Sequence, residues 1–247
     1  MAETRVVAVT GASRGIGASI VAELAGRGFT VGCLSRRGQG PEERDIDPAL
    51  AARFVNVACD VTDEASVKEA FATLAGRTGR IDGLVNNAGI HLDGKSATLA
   101  TGVFDEVMNT NARAVFVACR EVYPHLEARG GAIVNIGSFF DKLGVKRNLA
   151  YCASKAAVGA ITRCLAVEWA SKGIRVLDVA PGYIETDLNR EALGAGPLKA
   201  FLESRIPTGR PGTPGDVARL VASLFAEDIP FLTGETLYID GGQGMAH

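Results

Sequence analysis

Short apolar runs alternate with longer segments of helical period from one end of the chain to the other. The pattern predicts strands over 5–10, 30–34, 54–58, 81–85, 132–136, 174–180 and 236–240. Helical segments fill the intervals. The first follows a glycine-rich turn and runs to Arg27. In the next, Val67, Ala70, Phe71 and Leu74 recur at helical spacing behind Asp63 and Glu64, with Thr62 as the predicted N-cap. One long helical region covers 104–128. The segment 151–171 is apolar around most of its circumference, through Ala156, Ala157, Val158, Ile161, Leu165, Val167 and Trp169. Such a helix is expected to be covered on one side by a sheet and on the other by a second subunit. Thr213-Pro214-Gly215-Asp216 reads as a helix start, with an N-cap, a proline at the first helical position and an acid in the first turn.

Regular β–α alternation predicts an α/β fold: a Rossmann-type, doubly wound parallel sheet of about seven strands with helices on both faces. A single domain is expected over 1–247, since no linker, repeat or low-complexity stretch interrupts it. The exception is 186–212, rich in glycine and proline (Gly194, Gly196, Pro197, Pro207, Gly209, Pro211, Gly212). It is expected to form a substrate flap with a short helix near 198–204, beyond the carboxyl end of a strand where lids tend to lie.

Composition narrows the function classes. With 247 residues, 47% of them hydrophobic, the chain has enough apolar material for one large core. A net charge of -2 without a basic tail argues against nucleic acid as a partner. The apolar run after the first residues is too short for a signal peptide and no stretch reaches transmembrane length, so no membrane association and a cytoplasmic location are expected. Five scattered cysteines (Cys33, Cys59, Cys119, Cys152, Cys164) include no C-x-x-C pair and suggest reduced thiols. The dispersed His91, His125 and His247 imply no metal site.

Two stretches carry candidate chemistry. Thr10-Gly11-Ala12-Ser13-Arg14-Gly15-Ile16-Gly17 joins the first strand to the first helix, and its glycines allow backbone to approach a pyrophosphate at a helix N-terminus. Tyr151 and Lys155 stand four apart, on one face of the predicted helix, which sets an ammonium beside a phenol. Cation and helix N-terminus both favour the phenolate, so a lowered tyrosine pKa is expected, and Ser138 offers a hydroxyl to the same substrate oxygen. Each stretch alone is a weak signal.

Taken with Asn86-Asn87-Ala88-Gly89, Asn111 and Pro181-Gly182 in this order, these motifs make the chain resemble the short-chain dehydrogenase/reductase family over essentially its whole length. The resemblance implies that Tyr151 is the general acid/base, that Lys155 lowers its pKa and holds the nicotinamide ribose, and that Ser138 steadies the substrate oxygen. Asn111 would hold a water linking Lys155 to solvent. The cofactor would lie against Gly11, Ser13, Gly15, Ile16 and Gly17, with Asn87, Ala88 and Gly89 at its border. Asn86 reads equally as a tie between strands. Asp60, followed by Val61, would contact adenine, or else cap a helix. Pro181, Gly182, Ile184 and Thr186 would hold the carboxamide.

At the end of the second strand, where an acid would bind the ribose hydroxyls of NAD, stands Ser35, followed by Arg36 and Arg37. Arg14 lies in the phosphate turn. Guanidinium groups favour a 2′-phosphate, so NADP(H) is expected over NAD(H), with Arg14 and Arg36 as its readers. The stretches around 182–187, 206–210 and 232–237 are most similar to 3-oxoacyl-[acyl-carrier-protein] reductases. That likeness implies an acyl-thioester substrate, Arg129 and Lys172 as contacts for an acyl carrier protein, and a homotetramer. Phe139-Phe140-Asp141-Lys142 departs from that pattern, and Phe139, Phe140, His91 and Lys146-Arg147-Asn148 are expected to line a bulkier pocket. An NADPH-dependent carbonyl reductase is therefore the leading reading. An NAD(P)-dependent alcohol or diol dehydrogenase is the alternative within enzymes, and a non-catalytic dinucleotide-binding regulator is the alternative outside them.

Overall fold

One parallel sheet of seven strands organises the described residues of the computed structural model, which are 4–42, 46–186 and 196–245. The strands are β1 (Val6–Thr10), β2 (Thr30–Ser35), β3 (Phe54–Ala58), β4 (Gly83–Asn86), β5 (Gly131–Ile136), β6 (Ile174–Pro181) and β7 (Thr236–Ile239). Their order across the sheet is β3-β2-β1-β4-β5-β6-β7. The order reverses between β1 and β4, where Val9 pairs with both Cys33 and Val85. A crevice at the carboxyl ends of the strands is expected at such a switch point.

Helices cover both faces. On one lie α1 (Gly15–Gly26) and, from the far end of the chain, Pro214–Ala226; they bury Ile20, Leu24, Val221 and Phe225 against Val7, Val31 and Leu177. On the other, α3 (Glu64–Thr78), α5 (Ala114–Leu126) and α6 (Leu149–Trp169) bury Phe71, Leu74, Val122 and Val158 against Leu84, Ile133 and Val176. The short α2 (Pro48–Ala51), α4 (Thr101–Met108) and α7 (Gly196–Arg205) complete the set, and Pro214–Ala226 is α8. Each fully buried Leu, Ile or Phe contributes about 1.5–3 kcal/mol, so the two layers are where the stability of the fold resides.

Several expectations need correction. Asp63, not Thr62, caps α3: its Oδ1 accepts from Ala65 N at 3.0 Å. Thr62 is drawn upstream instead, giving its amide (2.9 Å) and hydroxyl (2.7 Å) to Asp60 Oδ1. The helical region at 104–128 is not continuous. Between α4 and α5 lies a π-helical turn, Asn109–Arg113, set by a tertiary contact of Asn111 described below. Such wide turns are frequent at functional sites. In the single chain α6 is covered on its sheet side, where Ser154, Lys155, Val158, Thr162 and Leu165 face inward, and the other side carries an outer strip of Ala156, Ala160, Cys164 and Val167 (82% accessible).

The predicted cap at Thr213 is present as a reciprocal capping box with Asp216, and α7 covers the helix expected at 198–204. Residues 187–195 of the expected flap, and His247, lie outside the described residues. The base of that segment is closed by main-chain pairing: Gly212 N donates to Tyr183 O and Glu185 N to Gly212 O, both at 2.9 Å.

Cys33, Cys59 and Cys119 are buried thiols, pushed up to about 12 by burial. Cys152 is half-buried and Cys164 exposed. Among the described residues no disulfide, no metal-binding group of three ligands and no helix long and apolar enough to cross a membrane is found.

Candidate active site

The carboxyl ends of β1, β2 and β4 open onto a cleft of about 850 Å3. The turn after β1 contributes Gly11, Ser13, Arg14, Gly15, Ile16 and Gly17. Gly17 is there for close approach: a Cβ on it would stand 2.2 Å from Gly11 O, which itself takes φ +65°. Arg14 occupies the N-cap of α1 with no side-chain cap, so the amides of the first turn keep their donor capacity toward the cleft. Asn87 ties the turn to β4, donating from Nδ2 to Thr10 O (3.0 Å) and Gly11 O (3.1 Å). Thr10 Oγ1 in turn accepts from the amides of Asn87 and Ala88. Ala88 and Gly89 line the cleft beyond that tie.

Ser35 and Arg36 line the β2 end of the cleft, as do Asp60 and Val61. The Ser35 hydroxyl is committed to a turn, donating to Gln39 O at 2.7 Å and accepting from Gln39 N at 2.9 Å. Its contribution to the cleft is therefore the absence of a carboxylate. The hydrogen bonds from Thr62, helped by the nearby Arg36, hold the Asp60 carboxyl below the usual range. Asp60 thus organises the loop leading into α3 as well as lining the cleft. Thr186 lines the cleft beside Gly15. Sequence reasoning missed Glu42, whose amide donates to Ser13 O at 2.8 Å and whose carboxylate pairs with Arg37. The alternating charges of its loop were the available signal.

Ser138, Tyr151, Lys155 and Asn111 gather where β5 ends and α6 begins. The Ser138 hydroxyl lies close enough to Tyr151 to favour its phenolate, and accepts from Phe140 N at 3.3 Å. Lys155 is 6% accessible, donates to Ile136 O at 2.8 Å, and lies 5.7 Å from the centre of the Tyr151 ring. Burial pushes the Lys155 ammonium down to about 8, with Asp178 opposing the shift. For Tyr151 the expected direction is reversed: burial raises the phenol above its ordinary value, and the Ser138 hydroxyl opposes this. The reason is geometric, since the ammonium is spent on the Ile136 carbonyl and lies over the ring instead of at the hydroxyl. Asn111 is fully engaged: Oδ1 accepts from Ile90 N and Nδ2 donates to Ile90 O, both at 2.8 Å, with Ser154 Oγ at 3.2 Å. Asn86 proves to be the structural tie, donating to Asn135 Oδ1 at 2.9 Å, which continues to Thr162 Oγ1.

The surroundings of Tyr151 differ from expectation. Phe139 and Phe140 are 3% and 8% accessible, so they form the packing behind the tyrosine instead of an open pocket wall. Phe140 meets Tyr151 edge-on at 6.0 Å and Tyr183 at 6.1 Å. His91 does reach the mouth, with its ring 4.7 Å from that of Tyr151 and its Nε2 against Asn148 Oδ1. Arg147 pairs with Asp93 at 2.7 Å, joining the two loops. Pro181 ends β6 and Gly182 follows it, its N donating to Ile239 O at 3.0 Å, and Ile184 is buried beside Gly212.

A family profile described as enoyl-(acyl carrier protein) reductase matches residues 11–243. The 2-(R)-hydroxypropyl-CoM dehydrogenase of Xanthobacter autotrophicus is 38% identical, over 96% of this chain and 98% of its own. The 3-oxoacyl-[acyl-carrier-protein] reductase of Escherichia coli is 35% identical over 98% of both. The chain belongs to the short-chain dehydrogenase/reductase family. It is an oxidoreductase of the kind that acts on CH–OH and carbonyl groups. Among solved structures, ElxO with NADP bound superposes with a TM-score of 0.88 at 33% identity, over 97% of this chain and 98% of that one.

The cleft fits the nicotinamide dinucleotide that the family binds. A Cβ at Gly17 would fill the cradle, the uncapped N-terminus of α1 suits a pyrophosphate, and Arg14 and Arg36 suit an additional phosphate. Arg129 and Lys172 stand at the pole of the sheet opposite Tyr151 in the single chain. They precede β5 and β6, at the amino ends of the strands, about 20 Å along a six-residue strand from the end that carries Tyr151. Arg129 instead lines a smaller cavity of about 370 Å3 at that pole, together with Arg5, Arg80 and Arg175.

Proposed function

We propose that this protein is an NADPH-dependent carbonyl reductase. The observation that carries the reading is the meeting of Ser138, Tyr151 and Lys155 beside a glycine cleft whose rim presents Arg14 and Arg36 but no acid at the end of β2. Gly11, Ser13, Gly15, Ile16 and Gly17 would hold the pyrophosphate, Arg14 and Arg36 the 2′-phosphate, Asp60 and Val61 the adenine. Asn87, Ala88, Gly89, Pro181, Gly182, Ile184 and Thr186 would border the nicotinamide half. Bound there, the cofactor supplies the hydride that reaches the carbonyl carbon.

The chain supplies the rest. Ser138 donates a hydrogen bond to the carbonyl oxygen and so fixes its position against Tyr151. Tyr151 gives that oxygen its phenolic proton as negative charge develops there. Burial keeps this proton on the phenol at neutral pH, the form that reduction requires. Lys155 would hold the nicotinamide ribose and return a proton to Tyr151 after each transfer, and Asn111 fixes the π-helical turn beside it. The NADP-bound ElxO relative supports the choice of cofactor. The similarity to 3-oxoacyl-[acyl-carrier-protein] reductases supports a 3-oxoacyl thioester as substrate.

A second reading, a dehydrogenase of small secondary alcohols or diols, is supported by the similarity to the 2-(R)-hydroxypropyl-CoM dehydrogenase and to a D-threitol dehydrogenase. A homo-oligomer, expected to be a tetramer, would cover the outer strip of α6 and the exposed Phe116 of α5, and sedimentation tests it. One assay separates the readings: NADPH and NADH consumption with acetoacetyl thioesters and simple ketones, run beside NADP and NAD reduction with secondary alcohols and diols. Faster NADPH consumption with the thioester supports the reductase. NAD reduction by an alcohol or diol as the dominant activity replaces it with the second reading.

A further inference from the structure

The even-numbered side chains of β6 face α6, and apolar Ile174 and Val176 pack in that layer, yet the next position on the same face is Asp178, with no accessible surface. Room for it is made by two glycines. A Cβ on Gly137 would stand 2.4 Å from Asp178 Oδ1, and one on Gly159 would stand 3.9 Å from Oδ2. Thr236 Oγ1 donates to Oδ2 at 3.1 Å, while Oδ1 has no hydrogen-bond partner. Burying a carboxylate with one oxygen unpaired is costly unless a nearby positive charge compensates.

The compensating charge is Lys155. Its ammonium sits 2.8 Å from the carbonyl of Ile136, and the next residue along, Gly137, is the one pressed against the Asp178 carboxylate. The two charges therefore approach the same peptide unit, and no direct ion pair joins them among the described residues. We propose that Asp178 is the buried counter-charge of Lys155, a positioning residue that keeps the lysine in its ammonium form and aimed at the Tyr151 ring. The inference rests on the catalytic reading of Lys155 for its consequence, but the electrostatic pairing stands apart from any activity.

Other charges share the neighbourhood. Asp141, after β5, raises the affinity of Asp178 for a proton, and it accepts the Tyr238 hydroxyl of β7 at 2.8 Å. Arg163 of α6 brings Nη1 to 3.4 Å from the point where a Gly159 Cβ would stand, the point that Asp178 Oδ2 and Thr236 Oγ1 also approach at 3.9 Å, and it acts on Tyr238. Burial pushes the Asp178 carboxyl up to about 6, opposed by the Thr236 hydrogen bond and by Lys155. Above pH 6 the carboxylate is therefore charged across the range in which Lys155 titrates.

The test is an NMR titration of the full chain with labelled lysine and aspartate side chains, with Lys155 assigned by Lys155→Met and Asp178 by through-bond correlation of its carboxyl to its own backbone amide. In Asp178→Asn, which keeps the Thr236 hydrogen bond, the Lys155 midpoint should fall by about one pH unit. By reciprocity the Asp178 midpoint should rise by the same amount in Lys155→Met, a measurement that holds even if the asparagine variant does not fold. Unchanged midpoints overturn the inference, whatever the activity of the enzyme. If the Lys155 midpoint shifts and the pH profile of turnover shifts with it, the inference and the catalytic reading both gain support. If the midpoint shifts and the turnover profile does not follow, the pairing is upheld and the catalytic reading of Lys155 fails.

Discussion

The cleft at β1, β2 and β4 and the corner at β5, β6 and α6 meet at one site but are built from different materials. The cleft is mostly backbone: glycines that bring main chain together, the uncapped start of α1, and amide ties such as Asn87 to Gly11. Its charges, Arg14 and Arg36, stand in solvent at the rim. The corner is made of buried side chains whose charge states depend on one another, with Lys155 and Asp178 both buried. A backbone cradle tolerates changes of pH and loses affinity in steps as contacts are removed. A buried charge pair is sensitive to single substitutions and to proton concentration, because the low local dielectric magnifies each interaction.

The largest effect expected is in the corner. Tyr151→Phe should lower turnover by roughly 10²–10⁴-fold while leaving NADPH affinity nearly unchanged, measured by steady-state kinetics and by cofactor fluorescence titration. Full activity in that variant would remove Tyr151 as proton donor and erase the contrast between the two regions. The pH dependence of stability comes next. Between 3.8 and about 6 the folded chain holds a proton on Asp178 that the unfolded chain releases, so the Asp178 contribution declines as pH rises through that window. Between about 8 and 10.5 the unfolded chain holds a proton on Lys155 that the folded chain lacks, so the Lys155 contribution improves as pH rises. Together the pair should be least favourable between about 6 and 8. At one pKa unit per 1.36 kcal/mol, each arm amounts to at most about 3 kcal/mol. Thermal melts across pH should show the acid arm flattened in Asp178→Asn and the alkaline arm flattened in Lys155→Met.

The cleft is tested by sterics and by affinity. Gly17→Ala places a methyl 2.2 Å from Gly11 O, so NADPH binding should be lost and the protein destabilised by about 1–3 kcal/mol, read from denaturant melts. Retained binding would mean that the cradle opens more easily than its glycines suggest. Arg36→Ala should be the mildest change, weakening NADPH roughly tenfold through loss of a charge-assisted hydrogen bond while leaving NADH binding unaltered. Equal losses for both cofactors would assign Arg36 a structural role.

What the sequence by itself determined follows from local rules. Alternating periods located all seven strands to within two residues, because strand and helix bury their apolar faces at fixed spacings. The glycines after β1 and the Tyr151–Lys155 spacing likewise impose local geometry. Tertiary structure decided what depends on neighbours distant in sequence. Asp60 captured Thr62 and moved the cap to Asp63, and Ile90 bound both ends of Asn111 within a π-helical turn in what reads as a continuous helix. Phe139 and Phe140 became packing once Tyr183 closed on them. The Tyr151 phenol was raised, not lowered, since the ammonium that shares its helix face is turned to the Ile136 carbonyl. Asp178, an unremarked acid within an apolar run, acquires meaning only when Gly137 and Gly159 leave it space behind Lys155. A spacing of four residues can bring two groups to one side of a helix, but the charge each carries is set by burial and by partners that only the folded chain assembles.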